Sequence, residues 1–217
     1  KEIGEEWKAR TGSDIFEGYG LSETAATLTV NRTNKRKLGT VGIPMACMEV
    51  QLRNTAGIEV GVDEEGEICV RGPQVMEGYW QRAEATAEVL DKEGWFRTGD
   101  IAILQHDGFI KIVDRLKDMI LVSGFNVYPS EIEDVVYGHP DIFECAAVGV
   151  KDAKSGEAVK LFVASTNPNI TIDDVKAYCR QRLTGYKIPK FIEFKPELPK
   201  SNVGKILRRE LRDEANG

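Results

Sequence analysis

Asp114-Arg115-Leu116-Lys117-Asp118 is a charged pentapeptide set between two apolar stretches, and the character of the chain changes across it. Upstream, the sequence reads as short strands separated by turns. Met48–Leu52 alternates, Glu67–Val70 supplies a second strand, and Ile101–Gln105 and Phe109–Val113 flank the turn His106-Asp107-Gly108 as a hairpin. A helix is predicted over Ala83–Leu90, and another near the start, with Ile3 and Trp7 on one face and Gly12 as its stop. Downstream, strands alternate with helices. Ser130 and Glu133 predict a capping box ahead of Ile132, Val135 and Val136. Strands are predicted over Phe143–Val150, Ala158–Ser165 and Phe191–Phe194. Thr171 and Asp174 open a helix carrying Ile172, Val175, Cys179 and Leu183 on one face, and Lys205–Glu214 reads as a last helix. The expected fold class is α+β: a β-rich region over residues 1–116 and a smaller α+β domain over 117–217.

The composition is that of an ordinary globular chain, which excludes disordered, collagenous and disulfide-rich classes. Lys and Arg number 29 against 35 Asp and Glu, and the net charge of −6 argues against a dedicated nucleic-acid binder. The charge is unevenly spread. Residues 180–217 carry ten Lys/Arg and five Asp/Glu, whereas residues 117–179 carry five and ten. The basic tail suits either an anion or a solvated face. The four cysteines lie far apart with only two histidines to join them, so they read as buried small hydrophobes in a reducing, cytoplasmic setting. No apolar run approaches the 18 or so residues of a membrane span, and the first residues do not form a signal peptide. The first residue is Lys rather than Met, which points to a piece of something longer.

Glycine is the one surplus, 21 residues against a usual level of roughly 7%, and it gathers where chemistry is plausible. In Gly18-Tyr19-Gly20-Leu21-Ser22-Glu23-Thr24, glycines admit a ligand to the backbone, hydroxyls suit phosphate, and a carboxylate suits Mg²⁺. The plain alternative is a loop with Ser22 capping a turn. Arg97-Thr98-Gly99-Asp100, just ahead of the Ile101 strand, places a carboxylate where a ribose diol can be held, or is an ordinary Gly-Asp turn. Asp114–Asp118, followed by Ser123-Gly124-Phe125, reads as an interdomain hinge or as a salt-bridged turn. Pro199-Lys200-Ser201-Asn202-Val203-Gly204-Lys205 is not a Walker A loop, but it puts one lysine on a flexible glycine loop, a mobile point charge, or simply starts a basic helix.

Taken together and in order, Gly18–Thr24, Gly66–Gly72, Gly94–Asp100, Asp114–Glu133 and Leu198–Leu211 resemble successive core motifs of the adenylate-forming enzymes: acyl-CoA synthetases, peptide-synthetase adenylation domains and firefly-type luciferases. The resemblance covers essentially the whole chain. Its wording is closest to bacterial long-chain fatty-acid–CoA ligases in Arg71–Arg82, Lys117–Val136 and Leu183–Lys190. The resemblance implies ATP-dependent activation of a fatty acid to an acyl-adenylate, with Mg²⁺, followed by transfer to coenzyme A. By motif position, Tyr19 would stack on adenine beside Gly20, Ser22 would contact phosphate, and Glu23 would bind Mg²⁺. Asp100 would hold the ribose hydroxyls with Arg115 nearby. Lys117 would be the hinge of a mobile small domain, Lys205 the cation for adenylation, and Gly124 the approach for pantetheine. Ser22 stands where Thr is common, and Lys117 where relatives often carry Asp.

The family's Ser/Thr/Gly-rich phosphate loop and its acyl-pocket segments have no counterpart in the sequence. The resemblance therefore implies the C-terminal part of a larger ligase: a β-rich, distorted barrel-like subdomain of the large domain and the complete small domain, inactive alone. Two other readings remain at this level: a ligase passing acyl-adenylate to a carrier protein, and a non-catalytic nucleotide-sensing or interaction module. Glu23, Asp100 and Lys205 are all present, against the second of these. A peripheral contact of the larger ligase with the inner face of the membrane is a further expectation.

Overall fold

A computed structural model describes residues 2–217, with side chains from residue 4 onward. The chain divides into two compact units, Lys1–Leu116 and Lys117–Gly217.

In the first unit, α1 (Glu2–Thr11) stops at Gly12, whose N–H donates to the Lys8 carbonyl from a left-handed φ of +71°. Trp7 is exposed, and the Ile3 side chain lies outside the described residues. Three short strands, β1 (Gly18–Tyr19), β2 (Thr29–Val30) and β3 (Ile43–Pro44), form one antiparallel sheet. Then β4 (Glu49–Arg53), β5 (Glu65–Arg71), β6 (Phe96–Leu104) and β7 (Ile110–Arg115) form a second in chain order, with α2 (Ala83–Val89) before β6. The two sheets are joined where Val41 donates to the Ile110 carbonyl and Ile110 donates to that of Gly42. Leu28, Ile68, Val70, Phe96 and Ile110 are buried between them and form the core of the unit.

In the second unit, β8 (Ile120–Val122) and β9 (Phe125–Val127) form a hairpin about Ser123-Gly124. Both turn residues have positive φ, +51° and +85°, as a two-residue hairpin matched to strand twist requires. The long pair β10 (Ile142–Asp152) and β11 (Gly156–Ser165) carries β8 on one side, and β12 (Phe191–Phe194) runs parallel to β11. Period-two alternation buries both faces of this sheet. On one, Cys145, Ala147, Leu161 and Val163 meet Ile132 and Val136 of α3 (Pro129–Tyr137) and Val175 and Cys179 of α4 (Ile172–Arg180). On the other, Ala146, Val148 and Phe162 meet Leu211 of α5 (Arg208–Asn216).

Several local expectations change. The Thr171–Asp174 capping box forms, with reciprocal bonds of 3.2 Å and 3.0 Å, but Ile172 is exposed and the buried stripe begins at Val175. The Ser130–Glu133 box does not form. Pro129 opens α3 with Tyr128 as its N-cap, and Glu133 turns to the sheet, accepting the Ala147 N–H at 2.9 Å. The last helix begins at Arg208, because Ile206 pairs with Lys200 and the Leu207 N–H donates to Pro199. Cys47 is exposed, unlike Cys69, Cys145 and Cys179, and all four are free. Among the described residues, no helix is long and apolar enough to cross a membrane.

Candidate functional site

The loop after β1 doubles back so closely that a Cβ on Gly20 would lie 1.9 Å from the Ala26 carbonyl oxygen; only glycine fits there. Ala25 and Ala26 both hold left-handed φ values, +51° and +76°, a local strain of the kind found at ligand sites. Within it, Ser22–Thr24 makes one 3₁₀ turn, closed by the buried Thr24 hydroxyl accepting the Leu21 N–H at 3.0 Å. That turn is capped without Ser22. The Ser22 side chain is exposed, with no hydrogen bond to the described residues.

Glu23 follows on the same turn. Tyr79 donates to its Oε1 at 2.9 Å, and its carbonyl accepts the Met76 N–H at 2.8 Å. Burial, then the bond to Glu23, raises the Tyr79 phenol above its ordinary pKa, so it remains a donor. Oε2 of Glu23 has no partner among the described residues, and one carboxylate oxygen suits Mg²⁺, which keeps most of its other positions for water and phosphate. No group of three His, Cys, Asp or Glu is placed to cage a metal among the described residues. A single carboxylate oxygen fits a cation that takes its other ligands from phosphate and water.

Asp100 sits inside β6, not ahead of it. The strand starts earlier, at Phe96, and irregularities flank the motif: the β5–β6 register shifts at Glu67/Cys69 and the β6–β7 register at Ile101/Ala102. Glu67 holds the bulge. Its Oε2 accepts Nε and Nη2 of Arg97 at 2.9 and 2.7 Å, and its Oε1 accepts the Gly99 N–H at 3.1 Å. Thr98 donates to the Ile68 carbonyl at 2.9 Å. Asp100, in consequence, faces Tyr19 and Arg115. Tyr19 donates to Oδ2 at 2.5 Å, and Nε of Arg115, its cross-strand partner, lies 3.7 Å from Oδ1. Burial and the Asp100 bond drive the Tyr19 phenol far above its usual range, so it stays a neutral donor. A carboxylate offers about four lone-pair directions and Tyr19 uses one, leaving capacity for a diol. A cavity of about 290 Å³ is lined by Glu23, Tyr79, Glu67, Phe96, Thr98 and Gly99.

In the second unit, Gly124 stands at the β8–β9 tip with no atom within 4 Å of where a Cβ would be, and the adjacent Phe125 stacks on Tyr186 at 4.7 Å. Lys117 is exposed in the 3₁₀ turn Leu116–Asp118. Lys205 is also exposed, but its loop is not slack. Ser201 N–H donates to the Lys205 carbonyl and Gly204 N–H to that of Ser201, each at 2.8 Å, closing a tight hairpin. Neither lysine has an ion pair among the described residues.

The structure thus brings Tyr19, Asp100 and Arg115 together, sets Glu23 and Ser22 on one turn, and holds Gly124, Lys117 and Lys205 in the other unit. Sequence reasoning passed over Glu67, Arg97 and Tyr79. Their signal was present in Gly66–Gly72, Arg71–Arg82 and Gly94–Asp100, but their partners lie 30 to 56 residues away.

The AMP-binding enzyme family matches residues 1–80, and the AMP-binding enzyme C-terminal domain matches residues 131–205. A long-chain-fatty-acid–CoA ligase of Escherichia coli O157:H7 is 56% identical over 99% of this chain, which spans 38% of that relative's length. ATP-bound MatB from Rhodopseudomonas palustris superimposes with a TM-score of 0.90 at 32% identity, over 98% of this chain and 43% of that one. The o-succinylbenzoate coenzyme A synthetase of Bacillus subtilis, solved with ATP and a magnesium ion, gives 0.83 at 32% identity over 95% and 43%. On this sequence and structural likeness, the chain belongs to the AMP-binding enzyme family and is homologous to the long-chain-fatty-acid–CoA ligases.

Proposed function

We propose that the chain is the C-terminal part of a long-chain fatty-acid–CoA ligase that uses ATP to form an acyl-adenylate and then an acyl-CoA. The observation that carries this is the Tyr19–Asp100–Arg115 group beside a turn that leaves Glu23 Oε2 and the Ser22 hydroxyl without a partner among the described residues, in a chain homologous to such ligases. Asp100 accepts the ribose hydroxyls, and Tyr19, fixed by its bond to Asp100, presents its ring to adenine. Ser22 contacts phosphate. Glu23 would hold Mg²⁺, which would supply positive charge against the phosphates.

In the first step a fatty-acid carboxylate oxygen attacks the α-phosphorus and pyrophosphate leaves. Negative charge concentrates there, and Lys205 supplies the cation, a contribution of about 3–4 kcal/mol by analogy with one oxyanion-hole donor. In the second step the coenzyme A thiol, having lost its proton, attacks the acyl carbon and AMP leaves. Gly124, whose tip is open, admits the pantetheine chain. Lys117 is the hinge that exchanges these arrangements. The setting is the cytoplasm, supported by four free cysteines, with fatty acid taken up at the inner face of the membrane.

The test is a chimera joining the N-terminal part of the Escherichia coli O157:H7 ligase to this chain. Palmitate-dependent release of pyrophosphate and formation of palmitoyl-CoA are expected of the chimera and not of the 217-residue chain alone. A folded, inactive chimera, or pyrophosphate release by the chain alone, would overturn the reading.

A further inference from the structure

The hairpin that carries Lys205 is fastened on both flanks. On its upstream side Lys200 pairs with Glu144 of β10, and Leu207 N–H returns to Pro199. On its downstream side α5 begins at Arg208, and Leu211, fully buried, seats that helix on the sheet. Arg208 and Arg212, one turn apart, then reach two different carboxylates. Arg208 grips Glu133 of α3 through both carboxylate oxygens, with Nε to Oε1 at 3.0 Å. Arg212 donates to Oδ1 of Asp118 at 2.5 Å across 94 residues of sequence. Both carboxylates have only 9% of the side chain exposed, and the arginines about a third.

The two pairs are not equivalent. Glu133 also accepts the Ala147 N–H, so its pair ties helix to sheet and serves the fold. Asp118 adjoins Lys117 and ends the 3₁₀ turn Leu116–Asp118, so its pair runs from the segment proposed as hinge to the helix behind Lys205. An ion pair this poorly solvated is costly to break on one side, because it leaves a buried charge alone. A rotation at residue 117 would therefore drag α5 and its hairpin rather than let them lag.

We propose that Asp118 and Arg212 are positioning residues for Lys205: their ion pair makes the hinge segment and the Lys205 hairpin one rigid lever. This rests on the roles given above to Lys117 and Lys205. Neither residue of the pair touches substrate; each acts through the placement of Lys205.

Two measurements test it. In the 217-residue chain, Arg212→Ala should speed hydrogen exchange at residues 116–122 and 199–211 together, while the β10–β11 pair keeps its protection. In the chimera, Arg212→Ala and the near-isosteric Asp118→Asn should slow pyrophosphate release about tenfold more than they slow thioester formation from supplied acyl-adenylate. The charge exchange Asp118→Arg with Arg212→Asp should recover part of that loss. Equal slowing of both steps, or faster exchange spread over the whole unit, would show a merely structural pair and overturn the proposal. An unsubstituted chimera that fails to release pyrophosphate would instead count against the functional reading, and the exchange measurement would still decide whether the lever exists.

Discussion

The phenol of Tyr19 donates a 2.5 Å hydrogen bond to Oδ2 of Asp100, joining two residues 81 positions apart in sequence. Burial and this bond raise the Tyr19 pKa well above that of an unfolded tyrosine, about 10. The folded chain holds the proton where the unfolded chain releases it. This part of the stability is therefore complete below about pH 10 and is lost as pH rises beyond it. Tyr19→Phe should flatten the fall in urea stability of the 217-residue chain between about pH 9.5 and 11. An identical alkaline slope in both proteins would show that Tyr19 is not held neutral by folding.

Glu67 sets the position of Asp100 without touching it. Its side chain has 7% exposed, whereas that of Arg97 has 50%, so the ion pair itself is partly screened and the bond to Gly99 N–H matters as much. Glu67→Ala leaves that N–H and the bulge without an acceptor, at a cost of about 2–3 kcal/mol. Glu67→Gln keeps an acceptor oxygen and should cost about half as much. Urea unfolding of both variants measures this. An alanine variant within about 0.5 kcal/mol of wild type would mean that Thr98 and the strand register hold the bulge alone.

What was legible in the sequence was local. The β6–β7 hairpin followed from alternation around His106-Asp107-Gly108, and α4 from Thr171 and Asp174, three residues apart. Ser130 and Glu133 present the same spacing and fail, because Pro129 already opens the helix and Arg208 claims Glu133 from 75 residues away. The β8–β9 hairpin was missed although its signal is short-range: a Ser-Gly turn between Ile120–Val122 and Phe125–Val127. In the candidate site, residue types were readable but not their pairing. Nothing within a local window says that Tyr79 holds Glu23, 56 residues away, or that Glu67 holds Gly99, 32 away.

The cysteines separate by environment. Burial raises the thiols of Cys145 and Cys179 and pushes that of Cys69 up to about 11, while Cys47 is exposed. Thiolate is the reactive form, so buried, protonated thiols react slowly. A disulfide reagent at pH 8 should label Cys47 within minutes and the other three only on unfolding. Peptide mapping of the labelled chain reads the site directly, and rapid native labelling of Cys69 or Cys145 would contradict the packing described.

Lys205 and Lys117 separate the two half-reactions. Lys205 stands exposed on a closed hairpin with its ammonium unpaired among the described residues, so its removal should leave the fold intact. In the chimera, Lys205→Ala should slow pyrophosphate release about a hundredfold or more, the loss expected when one donor to a developing charge is removed. Thioester formation from supplied palmitoyl-adenylate should persist, since the proposed rotation at residue 117 withdraws Lys205 before that step. Lys117 lies in the 3₁₀ turn Leu116–Asp118, and proline there fixes φ near −65° and bars the preceding residue from helical geometry. Lys117→Pro should therefore block the second step more than the first, reversing the pattern of Lys205→Ala. Single-turnover measurements of adenylate formation and of its consumption by coenzyme A give both ratios. Variants that lower the two rates in the same proportion would mean that cation and turn serve one arrangement only, and that no rotation at residue 117 separates the steps.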